Sequence, residues 1–70
     1  MKQVKLGDVP YQGLFHFIDD PKARAFKVIS ERKDVVWYVA ISLPDDDFLL
    51  TLNNSHPDWL TPDVDVFVEN

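Results

Sequence analysis

Three consecutive carboxylates, Asp45, Asp46 and Asp47, are the residues of this chain with the most evident capacity for chemistry, because hard cations bind oxygen ligands. Calcium loops place their oxygens at alternating positions around a glycine. Here the carboxylates are adjacent, no glycine is near them, and neighbours in an extended chain point in opposite directions. We therefore expect no metal site and interpret the run as a solvated loop or as part of a contact surface.

Side-chain catalysis needs a nucleophile with a base, a bound metal or a carboxylate pair in a cleft. The chain has no cysteine, and its two histidines, His16 and His56, are far apart in sequence and have no second histidine or cysteine at ligand spacing. Its two glycines, Gly7 and Gly13, are too few for a phosphate-binding loop. The sequence predicts a protein that is not an enzyme and that binds no cofactor and no metal.

Basic and acidic side chains occupy different halves of the chain. All seven lysines and arginines lie between Lys2 and Lys33, whereas residues 35–70 contain seven aspartates and glutamates and no basic side chain. The net charge is −5. This asymmetry predicts a partner protein with a basic surface. The basic residues within 22–33 leave direct nucleic-acid binding as a minority alternative, although acidic neighbours nearly cancel their charge.

Length and composition predict one small globular domain over residues 1–70. Hydrophobic residues make up 46% of the chain and charged residues 27%, which is typical of a folded domain. The first residues lack the apolar core of a signal peptide, and no apolar run reaches membrane-spanning length. With cysteine absent as well, the sequence predicts a cytoplasmic protein that makes no membrane contact.

Apolar alternation and turn residues predict five short strands. They cover residues 14–18, 25–29, 35–41, 48–52 and 64–68, and 35–41 is the central strand. A further strand over 3–6 is an option. Ser55 and Asp58 have the spacing of a capping box, which predicts one helical turn over 56–60. The pattern favours an all-β fold, a five-stranded SH3-like barrel with one short helical turn before the last strand. An OB-like barrel and a β-sheet with one helix are the alternatives. The predicted core residues are Phe26, Val28, Trp37, Val39, Val64 and Val66.

The order of these segments resembles small bacteriophage-encoded proteins of the SH3-like barrel type. The resemblance lies in Val4 to Val9, in the Gly13-Leu14-Phe15-His16-Phe17 opening, in the strands around Phe26 and Trp37, and in Pro62-Asp63-Val64-Asp65-Val66. It implies a non-enzymatic protein that binds a host protein in the host cytoplasm and inhibits or modulates it.

Two aromatic residues in the acidic half, Trp59 and Phe67, are expected near the surface. Aromatic side chains are enriched at interface centres, and charges at the rim of an interface speed association. We predict that this half contacts the partner. In the strongest version of this prediction it mimics the charge of a nucleic acid, and the partner is a nucleic-acid-binding enzyme. The alternative is a structural or assembly subunit that self-associates into a homo-oligomer. The predicted protein-binding residues are Asp45, Asp46, Asp47, Trp59, Asp63, Asp65, Phe67 and Glu69.

Overall fold

Six strands and two short helices make up a computed structural model that describes residues 1–42 and 46–69. The helices are a 3₁₀ helix, Leu6–Asp8, and α1, Phe48–Asn54. The strands form one open antiparallel sheet in the order β1-β6-β2-β3-β4-β5. Their bounds are β1 Lys2–Lys5, β2 Leu14–Phe17, β3 Arg24–Val28, β4 Val36–Ala40, β5 Asp58–Leu60 and β6 Asp65–Val68.

Strand β3 is covered on both of its faces. Neighbouring residues on a strand point to opposite sides, yet Ala25 and Phe26 are both buried. On the side of Ala25, which we call the inner face, the cluster includes Leu6 and Val9 from the segment after β1. On the side of Phe26, which we call the helix face, the sheet packs against α1. The chain therefore makes two small cores from a single sheet.

The segment after β1 is tied to the segment before β6. The Leu6 N–H donates to the Val64 carbonyl at 2.8 Å, and the Gly7 N–H donates to the Pro62 carbonyl at 2.9 Å. A side chain at Gly7 would place its Cβ only 3.0 Å from Cβ of Pro62, which is tighter than ordinary contact. The close approach of these two segments holds Leu6 in the inner face.

The prediction of a β fold is confirmed in outline, but the five-stranded SH3-like barrel is wrong. The optional strand at 3–6 forms as β1 and pairs with β6, which adds a sixth strand. The sheet then has two ends, β1 and β5, instead of closing on itself. The alternative of a β-sheet with one helix describes this arrangement best.

The strand predicted over 48–52 is helical. Asp47 caps the helix, because its Oδ1 accepts the N–H of Leu50 at 2.9 Å. Phe48 and Leu52 lie one turn apart and both pack against the helix face of the sheet. Leucine favours helices, and a short apolar run bounded by turn residues does not distinguish a strand from a helix.

The helical turn predicted over 56–60 is also wrong. Ser55 ends α1 instead of starting a helix, and its hydroxyl donates to the Ala40 carbonyl at 3.1 Å. Residues Asp58–Leu60 form β5 and pair with β4, with Trp59 directly opposite Trp37. Tryptophan favours strands, and here the cross-strand partner decides the outcome.

Four of the six predicted core residues, Phe26, Val28, Val39 and Val66, are buried. Trp37 and Val64 are only half-buried. The aromatic residue with complete burial is Phe15, on the inner face. Its ring meets those of Phe17 and Tyr38 edge to face, with centroids 5.4 and 5.9 Å away. This trio stabilises the inner face by more than its buried area alone.

The Asp47 cap makes a testable contribution to stability. Replacing Asp47 by alanine should lower the free energy of unfolding by about 1 kcal/mol, because the Leu50 N–H loses its acceptor. Asp47→Asn is the matched control, since asparagine caps about as well and should cost much less. Urea denaturation measures both changes. Equal losses in the two variants would show that the carboxylate does not act as a cap.

Candidate protein-binding surface

Trp59 is a large apolar side chain that the fold leaves in solvent. It is 51% exposed and lies on β5, the last strand of the sheet. Its cross-strand neighbour Trp37 is half-buried, because that indole packs against the cluster on the helix face. The cover of α1 therefore ends at Trp37, and on the helix face Trp59 of the next strand is left exposed. An exposed tryptophan beside a partly buried one is typical of interface centres.

Two open grooves flank Trp37. One, of about 590 Å³, has Trp37 and Trp59 among its lining residues. The other, of about 490 Å³, contains Trp37, Pro57 and Ile29, and Ile29 is 73% exposed. We call the four residues Ile29, Trp37, Pro57 and Trp59 the Trp37–Trp59 surface. Apolar side chains grouped in this way mark a contact site more strongly than isolated ones do.

A bidentate ion pair borders both grooves. Arg32 donates from Nε and Nη2 to the two carboxylate oxygens of Asp34 at 3.0 and 2.5 Å. This contact lowers the pKa of Asp34 and raises the pKa of Arg32. Both side chains are well exposed to solvent, where such pairs contribute little to stability. Since the two charges cancel, this pair adds no net charge to the rim of the surface.

The backbone of Trp59 presents its N–H to the outer edge of the sheet. This N–H donates to Oδ1 of Asp58 at 2.8 Å. Residues of an antiparallel strand alternate between pairs that exchange backbone hydrogen bonds and pairs that do not. Since the single amide hydrogen of Trp59 goes to a side chain, we assign Trp37 and Trp59 to a pair of the second kind. The Asp58 carboxylate thus covers the outward donor of β5.

The Asp58 carboxylate also acts on Tyr38, the residue opposite it on β4. The pKa of Tyr38 is raised, first by burial of the phenol and second by the negative charge of Asp58. Both effects disfavour the phenolate. The Tyr38 hydroxyl therefore reports on the charge at position 58.

Most of the predicted contact carboxylates are engaged within the protein. Asp46 pairs with Arg24 at 2.6 Å, and Asp47 caps α1. Asp65 pairs with Lys5 at 2.8 Å and raises the pKa of that lysine, mainly through the hydrogen bond. A hydrogen bond from Thr61 is the main cause of the lowered pKa of Asp63. Asp45 lies outside the described residues.

Glu69 holds a buried histidine. Its Oε1 lies 3.0 Å from Nε2 of His16, and Nδ1 of the same ring lies 2.7 Å from the Pro21 carbonyl oxygen. Each of the two ring nitrogens thus lies within hydrogen-bond distance of an oxygen. These contacts tie the end of β6 to the turn after β2. They give Glu69 and His16 a structural role.

The residues of the predicted contact face do not lie together on one strand pair. Phe67 is half-buried on β6, opposite Gln3 and His16. In the sheet order, β2, β3 and β4 separate β6 from β5, which carries Trp59. Trp37 and Ile29, which were not predicted as contact residues, also belong to the Trp37–Trp59 surface. The sequence contains no local signal for this grouping, because the two tryptophans come together only if residues 58–60 form a strand that pairs with β4.

Within residues 1–42 and 46–69, no three histidine, cysteine, aspartate or glutamate side chains are placed to hold a metal ion. In that part of the chain no helix has the length and apolar character needed to cross a membrane. Comparisons with models of protein families, with curated proteins and with solved structures give no match. The resemblance to small bacteriophage proteins stays a prediction, and the functional interpretation rests on the geometry.

The position of Asp58 can be tested through Tyr38. Asp58→Asn should lower the pKa of Tyr38 by removing the second cause of the shift, and burial should keep it above the ordinary tyrosine value. Phenolate absorbance during an alkaline titration measures this in a Tyr11→Phe background, where Tyr38 is the sole tyrosine. Asp8→Asn serves as the control for net charge. Identical titrations with and without the Asp58 charge would contradict the geometry described above.

Proposed function

We propose that this chain is a protein-binding module that contacts a partner through the Trp37–Trp59 surface. The observation that carries the proposal is the exposure of Trp59 on an end strand, beside a groove that it shares with Trp37. Tryptophan is among the residues whose truncation costs most binding energy at interfaces. Exposing one costs solubility, and a contact role gives a reason for that cost.

The charge around the surface favours a basic partner. Glu31 lines one groove and Asp58 is adjacent to Trp59, whereas Arg32 and Asp34 pair with each other and their charges cancel. The chain as a whole carries −5. Long-range attraction to a cationic partner raises the association rate and makes it depend on salt. The apolar centre, in contrast, governs how long the complex lasts.

Mimicry of nucleic-acid charge has less support than simple protein binding. A phosphate track requires carboxylates directed at a partner, but Asp65 and Glu69 face Lys5 and His16 of the same chain. The proposal therefore moves the contact from the β6 carboxylates to the β5 tryptophan. A host protein as partner, and inhibition as the effect, rest on the resemblance to small bacteriophage proteins alone.

Direct nucleic-acid binding through residues 22–33 also has little support. Arg24 pairs with Asp46, and Arg32 pairs with Asp34. The Lys27 ammonium donates to the carbonyl oxygens of Gly7 and Val9 at 3.3 and 2.6 Å. Three of the basic side chains in this segment are thus engaged with the protein's own oxygens, whereas phosphate contacts need cations that are free to bind.

Site-specific photocrosslinking tests the proposal. A photoreactive phenylalanine analogue replaces Trp59 in one variant and Leu49, an exposed residue of α1, in the control. We expect a crosslink to one identified protein from position 59 and none from position 49. The identified protein is then purified, and Trp59→Ala should weaken its binding by roughly tenfold or more, consistent with an interface centre.

A purified partner that binds the native chain and Trp59→Ala equally would contradict the proposal. Equal crosslinking from positions 59 and 49 would do so as well, because it would indicate nonspecific adhesion. A crosslink to a second copy of the chain would instead favour the self-associating subunit.

A further inference from the structure

The two end strands of the sheet differ in what they present to solvent. Strand β1 carries the exposed polar side chains Lys2, Gln3 and Lys5. Strand β5 carries an exposed Trp59, and its outward N–H is covered by the neighbouring carboxylate of Asp58. Charged residues on an end strand discourage pairing with other chains. An exposed indole has the opposite effect, so protection alone does not explain β5.

Three features restrict access to β5. The strand has three residues, and Pro57 immediately before it has no N–H to offer. The carbonyl of Thr61, just after the strand, accepts the Val64 N–H at 3.4 Å. Within β5, the backbones of Asp58 and Leu60 face β4, so the outward donor of the strand is the Trp59 N–H, and the Asp58 side chain occupies it.

We propose that β5 is a guarded edge, meaning that Asp58 covers its outward N–H until an extended, basic segment of the partner protein adds to it as a strand. In this proposal a lysine or arginine of the segment pairs with the Asp58 carboxylate and draws it away from Trp59. The freed N–H then bonds to a carbonyl of the incoming strand, and the outward carbonyl of Trp59 accepts an N–H of that strand. An apolar side chain of the strand packs on the Trp59 indole. This mode is strand addition to a sheet edge. The inference rests on the proposed function and specifies how that surface binds.

Charge argues for a basic segment over a second copy of this chain. Each copy carries −5, and joining two β5 edges would bring two Asp58 carboxylates together. Like charges at an interface oppose association. A cationic segment instead gains the Asp58 charge and neutralises part of the acidic rim. Because a single backbone hydrogen bond contributes only about 1 kcal/mol net, the indole contact and the charge must supply most of the affinity.

Synthetic octapeptides test the mechanism. The first alternates arginine and valine, and the second alternates threonine and valine. Two further arginine–valine peptides are N-methylated at all the arginines or at all the valines. Strand addition uses the amides on one edge only, so one methylated peptide should lose roughly tenfold or more in affinity while the other binds like its parent. Titration calorimetry measures each against the native chain, Asp58→Ala and Trp59→Ala.

If Asp58 covers the outward N–H of β5, the affinities of the peptides for Asp58→Ala should follow a specific pattern. The threonine–valine peptide should bind this variant several-fold more tightly than it binds the native chain, because the Trp59 N–H is already free. The preference for arginine over threonine should shrink by about tenfold, and its salt dependence should weaken. Trp59→Ala should weaken all the peptides.

Several results would overturn the inference. The first is that both methylated peptides bind as tightly as their parent. The second is that the threonine–valine peptide binds Asp58→Ala no more tightly than it binds the native chain. The third is that the arginine–valine peptide does not bind the native chain at millimolar concentration. Dimerisation of the native chain that Trp59→Ala abolishes, measured by analytical ultracentrifugation, would assign the edge to a second copy instead. If Trp59→Ala still abolishes binding of the crosslinked protein, the proposed function stands and only the guarded edge fails. If Trp59→Ala changes neither peptide nor protein binding, the proposed function itself fails.

Discussion

The structure depends on covering both faces of one sheet with a chain of 70 residues. Ala25 and Phe26 make this requirement clear, because adjacent residues of β3 are buried on opposite sides. A domain of this size has little apolar surface to spare, so each cover is minimal. Leu6 and Val9 fill the inner face, and the seven-residue α1 covers the helix face.

The candidate surface lies where the cover ends. Helix α1 packs over Phe26 and Val39, Trp37 is at the limit of the cluster, and Trp59 is one strand beyond it. The cover on the helix face thus stops short of the second tryptophan, which is exposed. The adjacent Asp58 covers the outward backbone donor of the same strand. The three residues of β5 thus combine an exposed indole with an outward N–H that a carboxylate covers.

Local patterns in the sequence predict the parts of the fold that depend on local chemistry. Alternation placed Phe26, Val28, Val39 and Val66 in the core, and they are buried. Two local signals mislead between Phe48 and Leu60, because a short apolar run suits either a helix or a strand and the spacing of Ser55 and Asp58 suits a capping box. In this region the Asp47 cap favours the helix, and pairing with Trp37 favours the strand β5. Trp37 is distant in sequence from the strand that it pairs with.

The sequence predicts what kind of site this is, an exposed tryptophan in an acidic setting, but not which residues form it. An exposed Trp59 in an acidic setting follows from residue types, and the structure leaves that side chain in solvent. The engagement of Asp65 by Lys5 and of Glu69 by His16 depends on how β6 pairs with its neighbours. Such pairing is a long-range property, so composition alone overstates how many carboxylates face a partner.

Amide hydrogen exchange at Trp59 is the most direct measurement of the guarded edge. We predict that the Trp59 amide exchanges several-fold faster in Asp58→Ala than in the native chain, while the Val39 amide inside β4 keeps its rate. That result means a side chain, and not a neighbouring strand, protects the outer edge of β5. A Trp59 amide that exchanges as slowly as Val39 in both proteins would contradict it, because the N–H would then be bonded within the sheet.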